Sequence, residues 1–336
     1  MPQSILGPVG DLQLESGETL RNAALAYVTL GKLAPDGRNA VLLTHGYTSS
    51  HMFITGKAGA EGSWAGLVGP GLAIDTNRYF VVSSNMLGSS FGSTAPKSLN
   101  PASGRAYGPD FPRFTVVDIV RAQKRLLDRL GVMHLEAVIG PSYGGFQAFV
   151  WGIEFPDFMD RLVPVVTSPK SPGDLDIDAL EKRLSADPNW NGGHYYEAGG
   201  VLTAMTAIRE KTLRNYGIEN ELAAAFPGAA ERDREISRIA RGWAEEFDAH
   251  SLLALGRAAN AYDATPDLAK IKARVLYVLS STDAVFPPSL RHTVMPALAS
   301  AGVTARYHEI DSPHGHLASG TDAAKWADAL RTFLAE

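Results

Sequence analysis

Apolar and polar positions along the chain follow two different periods, and the places where the period changes mark out the elements. Between residues 10 and 32 the side chains alternate on either side of Ser16-Gly17-Glu18, which predicts an antiparallel hairpin. Short apolar runs follow at 39–44 (NAVLLT), 79–84 (YFVVSS), 134–140 (HLEAVIG), 162–167, 274–279 (RVLYVL) and 305–310 (ARYHEI), each short enough to be a buried strand. Helical periodicity lies between them. It is clearest over 115–130, where Val116, Ile119, Val120, Leu126, Leu127 and Leu130 share one face and Asp118 sits in the first turn. A closing helix is predicted over about 323–334. Strands alternating with helices imply an α/β fold, with a mostly parallel sheet covered on both faces.

One region breaks the alternation. Between residues 170 and 265 no strand pattern occurs, and IDALEKRLS, VLTAMTAIREKTLRNYG and ERDREISRIARGWAEEF all read as helices. The division expected is therefore a core domain formed by 1–169 and 266–336, with 170–265 inserted as a helical lid over the strand ends. No internal repeat or low-complexity tract is present.

Composition narrows the function classes. An apolar fraction of 45% and a charged fraction of 20% are those of an ordinary globular enzyme. A net charge of −5 supplies no basic footprint for nucleic acid or an anionic membrane surface. With no cysteine the chain has no disulfide, no thiolate metal site and no cysteine nucleophile, which fits a cytoplasmic location most simply. The first residues lack a basic segment followed by an apolar run, so no signal peptide is expected. No apolar run approaches the ~20 residues of a membrane span. No histidine–carboxylate group has metal spacing and there is no phosphate-cradling glycine loop, so neither metal nor cofactor is expected.

The chemistry centres on Gly140-Pro141-Ser142-Tyr143-Gly144, a G-x-S-x-G between a predicted strand and a predicted helix. Such a turn is tight enough to strain its nucleophile, and its neighbours must be small for strand and helix to approach. It would lift the Ser142 hydroxyl to the N-terminal end of a helix, where unpaired amides and the helix dipole favour a developing oxyanion. A serine needs a base to take its proton and a carboxylate to hold that base. In this architecture they follow in the order serine, acid, histidine, each just beyond a strand. Asp283, after RVLYVLSST, fits the acid. Past the last strand the chain reads Asp311-Ser312-Pro313-His314-Gly315-His316, and His316 is preferred as base, because Gly315 lets the chain turn back towards Ser142; His314 and Asp311 are the alternatives. His51, His134, His194, His250, His292 and His308 have no such position. The two oxyanion donors expected are the amides of Tyr143 and Tyr47, the latter in the His45–Ser49 loop after the strand at 39–44.

Taken together, LTHGYTSS (43–50), NMLGSSFGSTAPKSLNP (85–101), GRAYGPDFPRFTVVDIVRAQ (104–123), GPSYGGFQAFVW (140–151), DPNWNGGHYY (187–196), FDAHSLL (247–253) and GHLASG (315–320) carry a further signal. Across nearly its whole length the chain resembles the homoserine O-acetyltransferase family of α/β-hydrolases. The resemblance implies an α/β-hydrolase fold with a helical lid, a homodimer formed through that lid, and a Ser/Asp/His triad acylated by acyl-CoA before an alcohol takes the acyl group. It also favours His316 over His314.

Two departures bear on the substrate. In the family a lid arginine receives the homoserine carboxylate and a carboxylate after the catalytic histidine suits its ammonium; Met205 and Leu317 stand at those positions here. Arg209, one helical turn beyond Met205, is a candidate replacement for the arginine. An unpaired zwitterion in a water-poor pocket costs several kcal/mol. The expected activity is therefore hydrolysis of small, short-acyl carboxylic esters. CoA-dependent transfer of acetyl or succinyl to homoserine or another alcohol is the alternative, and a non-catalytic binding protein on the same scaffold the remote one. The expected partner is a small ester or acyl-CoA.

Overall fold

The structure is a computed structural model and describes residues 2–56, 63–173 and 175–336. Its centre is an eight-stranded sheet: β1 (Ile5–Gln13), β2 (Thr19–Leu30), β3 (Ala40–Thr44), β4 (Phe80–Ser84), β5 (Leu135–Pro141), β6 (Arg161–Val165), β7 (Arg274–Ser280) and β8 (Ala305–Ile310). Across the sheet they lie in the order β1-β2-β4-β3-β5-β6-β7-β8. β1 and β2 form the hairpin expected at Ser16–Glu18, β2 meets β4 antiparallel, and every later pairing is parallel. All the parallel strands therefore end at one edge, which collects the loops after Thr44, Pro141, Ser280 and Ile310.

Alternation along the central strands feeds two cores. Val138, Val275, Tyr277 and Leu279 face a cluster shared with α1 (Val116–Arg129) and α2 (Tyr143–Glu154). Ile139, Leu276 and Val278 face the opposite cluster, closed by Trp326, Leu330 and Phe333. α1 lies where its period predicts, and it is capped: Thr115 Oγ1 accepts from the Asp118 amide and Asp118 Oδ2 accepts from the Thr115 amide, a reciprocal cap.

Between β6 and β7 the chain runs through α3 (Ile177–Ser185), α4 (Leu202–Asn215), α5 (Ile218–Leu222), α6 (Ala229–Glu246) and α7 (Ala249–Asn260). The core then closes with α8 (Arg291–Ser300), the short α9 (Ala318–Thr321) and α10 (Ala327–Ala335). Several details depart from the sequence reading. β6 stops at Val165 because Val166 takes φ 43°, a left-handed conformation no strand continues through. The final helix starts at Ala327, after a short 3₁₀ turn at Ala323–Lys325. α7 is buried on nearly every side, so it has no polar face to reveal a period, and α8 hides behind an internal Pro296. The two-residue strands Val68–Gly69 and Ile74–Asp75 are too short to leave a pattern.

Candidate active site

β5 runs straight into α2 through Ser142, which has φ 55° and ψ −121°. That conformation is costly for a residue with a side chain and persists only where its surroundings fix it. Here the Ser142 amide donates to the Val165 carbonyl (2.8 Å), and the Ser142 carbonyl accepts from Gly145 N (2.8 Å) and Thr167 Oγ1 (2.8 Å). The flanking glycines answer to close approach. A Cβ on Gly144 would lie 2.4 Å from the Thr44 carbonyl oxygen, and one on Gly140 would lie 2.1 Å from Thr44 Oγ1. The hydroxyl is thus presented at the N-terminal end of α2, with the Tyr143 amide among that helix's unpaired donors.

Two other loops of the same sheet edge meet there. Asp283, just past β7, is buried, and its Oδ1 accepts from the amides of Val285 (2.8 Å) and Phe286 (3.1 Å). Its Oδ2 lies 2.8 Å from Nδ1 of His316. With Asp283 accepting, Nδ1 donates, and Nε2 is the ring nitrogen left for another partner. The His316 ring is held by Tyr216 (centroids 4.7 Å) and Phe286 (5.8 Å), and its amide donates to the Tyr216 carbonyl. His314 stands apart, with Nε2 4.0 Å from Asp322. Asp311 is exposed, and its carbonyl accepts from Lys325. The structure therefore brings Asp283 to His316 rather than to His314.

The loop after β3 is a turn closed by the Ser49 amide donating to the Gly46 carbonyl (3.2 Å). Tyr47 is its first central residue, so the turn's own bond leaves the Tyr47 amide unused. The Tyr47 and Tyr143 rings stack at 6.0 Å. Beneath them His45 is fully buried; its Nε2 accepts from the Met86 amide (3.2 Å) while Nδ1 donates to the Gly46 carbonyl (2.9 Å). Burial brings the His45 pKa down to about 4, so the ring is neutral.

Ser142 and His316 line one cavity of about 30 Å³, enough for about two water molecules. Its walls include Tyr47, Phe53, Tyr216 and Leu317, and among the described residues that line it none is Arg, Lys, Asp or Glu. Leu317 is buried and packs with Leu213, Ile218 and Ile236 of the helical insert. Met205 is not in this wall: it lines a separate cavity with Tyr195, Tyr196 and Asp248. Its place in α4 turns it away from the Ser142 cavity, which the position of Met205 in the helix pattern does not reveal. Arg209 is buried one turn later, with Nη1 2.7 Å from Thr48 Oγ1 and its guanidinium 5.0 Å from the Trp243 ring. Sequence reasoning missed Phe53 and Tyr216; Tyr216 only ends an amphipathic helix, and nothing in that pattern marks it as a wall of the site. Among the described residues no cluster of three or more His, Asp or Glu could hold a metal, and no helix is long and apolar enough to cross a membrane.

A family model for the alpha/beta hydrolase fold matches residues 39–323. The chain is 35% identical over 351 residues to the homoserine O-acetyltransferase of Moorella thermoacetica, covering 97% of this chain and 94% of that one. It is also 35% identical to a homoserine O-succinyltransferase of a Janthinobacterium species, over 96% of this chain and 91% of that one. Among solved structures, the homoserine O-acetyltransferase of Bacillus anthracis superposes with a TM-score of 0.89 at 26% identity, covering 100% of this chain and 98% of that one. A solved esterase superposes with a TM-score of 0.87 at 27% identity, over 99% of this chain and 100% of the other. The chain is an enzyme of the α/β-hydrolase fold and belongs to the homoserine O-acetyltransferase family.

Proposed function

We propose that this enzyme hydrolyses small, short-acyl carboxylic esters through an acyl-serine intermediate. Ser142 Oγ attacks the acyl carbon as His316 Nε2 takes its proton; Asp283 keeps the ring oriented and balances the imidazolium. The amides of Tyr47 and Tyr143 receive the oxyanion, each such donor being worth about 2.7–4 kcal/mol of barrier. His316 then returns the proton to the departing alkoxide, and a water repeats the sequence on the acyl-serine. The observation that carries this reading is the uncharged wall around Ser142 and His316. An amino-acid acceptor would find no ionic partner among the described residues there, whereas a small neutral acyl group or a water needs none.

Transfer of the acyl group from CoA to an alcohol is the second reading. It is favoured by relatives named homoserine O-acetyltransferase and O-succinyltransferase, and it shares the acyl-serine half-reaction. We take residues 170–265 as a lid over the site, the enzyme as cytoplasmic and, on the resemblance alone, as a homodimer through that lid. A serine-directed phosphonate is expected to label Ser142 in the wild type. Ser142→Ala and His316→Ala are each expected to lower p-nitrophenyl acetate turnover by about 10³-fold or more, and His314→Ala by under tenfold. Absence of label on Ser142 would favour a binding protein on this scaffold, and equal collapse in both histidine variants would remove the choice of base.

A further inference from the structure

The turn that carries Tyr47 is held from outside the core. Its two central residues, Tyr47 and Thr48, are gripped at three points by three different helices of the insert. Tyr47 Oη donates to the Leu252 carbonyl in α7. Arg209 of α4 donates from Nη1 to Thr48 Oγ1 at 2.7 Å. Trp243 of α6 donates from Nε1 to the Thr48 carbonyl at 2.9 Å. The Arg209 guanidinium lies over the Trp243 ring at 5.0 Å, which ties two of the three grips together. Thr48 and Arg209 are both buried, so these bonds form away from competing water.

A two-residue turn has little to fix it beyond its one closing bond, here 3.2 Å long. The Tyr47 N–H lies in the peptide plane between Gly46 and Tyr47, and the three grips, on the Tyr47 side chain and on the Thr48 hydroxyl and carbonyl, hold the residues on the downstream side of that plane, the frame against which it can rotate. An oxyanion donor is effective only when it is already aimed before charge develops, because reorienting it during the reaction returns much of the gain. We infer that Arg209 and Trp243 are positioning residues that fix the oxyanion turn through Thr48, so that the helical insert sets the reactivity of Ser142 as well as covering it. This assigns Arg209 to the turn rather than to a substrate carboxylate. The inference rests on the acyl-serine reading above and concerns only the rate of its first step.

The test is the single-turnover rate of p-nitrophenolate release, a step common to hydrolysis and transfer, measured in Arg209→Met, Thr48→Val, the double variant and Arg209→Lys. Arg209→Met and Thr48→Val are each expected to slow acylation about tenfold with KM within about twofold, and the double variant to be no slower than either, as for groups acting in one linkage. Arg209→Lys, which keeps a donor, is expected to recover most of the loss. Trp243→Phe removes the N–H to the Thr48 carbonyl and leaves a smaller aromatic ring beneath Arg209, and is expected to slow acylation several-fold; it decides the matter if Arg209→Met does not fold. Additive losses, unchanged acylation rates, or a loss in Arg209→Met seen with an anionic ester and absent with a neutral one would overturn the assignment. Failure of the wild type to acylate Ser142 at all would instead overturn the functional reading, which separates the two outcomes.

Discussion

At the scale of single residues, most of the site follows from what each side chain is denied. Ser142 is denied a relaxed backbone by the bonds to Val165, Gly145 and Thr167, and this keeps its hydroxyl at the head of α2. His316 is denied rotation by Asp283 on one side and by the Tyr216 and Phe286 rings on its faces. His45 is denied a proton. Its pKa falls from 6.5 to about 4 in the fold because a buried imidazolium is desolvated, so the neutral ring is the form the fold selects. Its contribution is complete above pH 6.5 and is lost as pH falls from 6.5 towards 4, amounting to about 3 kcal/mol across that interval. Urea midpoints measured from pH 7 to pH 4 are expected to fall steeply below 6.5, and the fall is expected to be shallower in His45→Gln. Parallel profiles for the two proteins would show that His45 is not the group responsible. The proposed triad and oxyanion residues could be picked out in the sequence because each stands just beyond a strand, where the architecture limits the choices. The true surroundings of Met205 were not legible, because helical spacing gives a face and not the neighbour that face meets.

At the scale of elements, the sheet edge gathers the site while pairs of helices brace it. α1 and α2 are joined by a buried amide network: Trp151 Nε1 donates to Gln123 Oε1 (2.8 Å), Gln123 Nε2 donates to Gln147 Oε1 (2.7 Å), and Gln147 Nε2 donates to the His45 carbonyl (3.2 Å). The chain of bonds ends at His45, where the loop that carries Tyr47 begins, so a helix contact reaches the candidate site through backbone. Gln147→Leu would leave the Gln123 amide and the His45 carbonyl short of partners, at a cost of about 2 kcal/mol. A lowered thermal midpoint together with slower ester turnover is the expected result, and an unchanged midpoint would mean the network carries no net stability. Elements with a clean period were recognisable: α1 with its ends nearly right, and the β1–β2 hairpin with its turn in place although β1 begins at Ile5, five residues before the predicted start. α7 and α8 were not: burial on all sides removes the contrast in α7, and Pro296 interrupts the pattern in α8. It is also α7 that supplies the Leu252 carbonyl to Tyr47, so the element hardest to see in the sequence is one of those that reach the site.

At the scale of the whole molecule, core and insert divide the labour. The core supplies Ser142, Asp283 and His316, while the insert supplies Tyr216 to the cavity wall and the apolar cluster that packs on Leu317. Charge placed at Leu317 would therefore enter the cavity, whereas charge placed at Met205 would enter the separate one beside Asp248. Leu317→Asp is expected to cost about 2 kcal/mol or more in stability and to weaken hydrolysis of a neutral acetyl ester, and Met205→Arg to leave that hydrolysis within about twofold. Equal effects of the two substitutions on ester kinetics would mean that the cavities are not functionally separate. The central proposal, that a site with no Arg, Lys, Asp or Glu among its described lining residues passes its acyl group to water, is tested most directly by steady-state turnover of p-nitrophenyl acetate without homoserine or CoA. The account predicts many turnovers per enzyme, unchanged when homoserine is added and absent in Ser142→Ala; one equivalent of p-nitrophenolate followed by turnover only with homoserine present would contradict it.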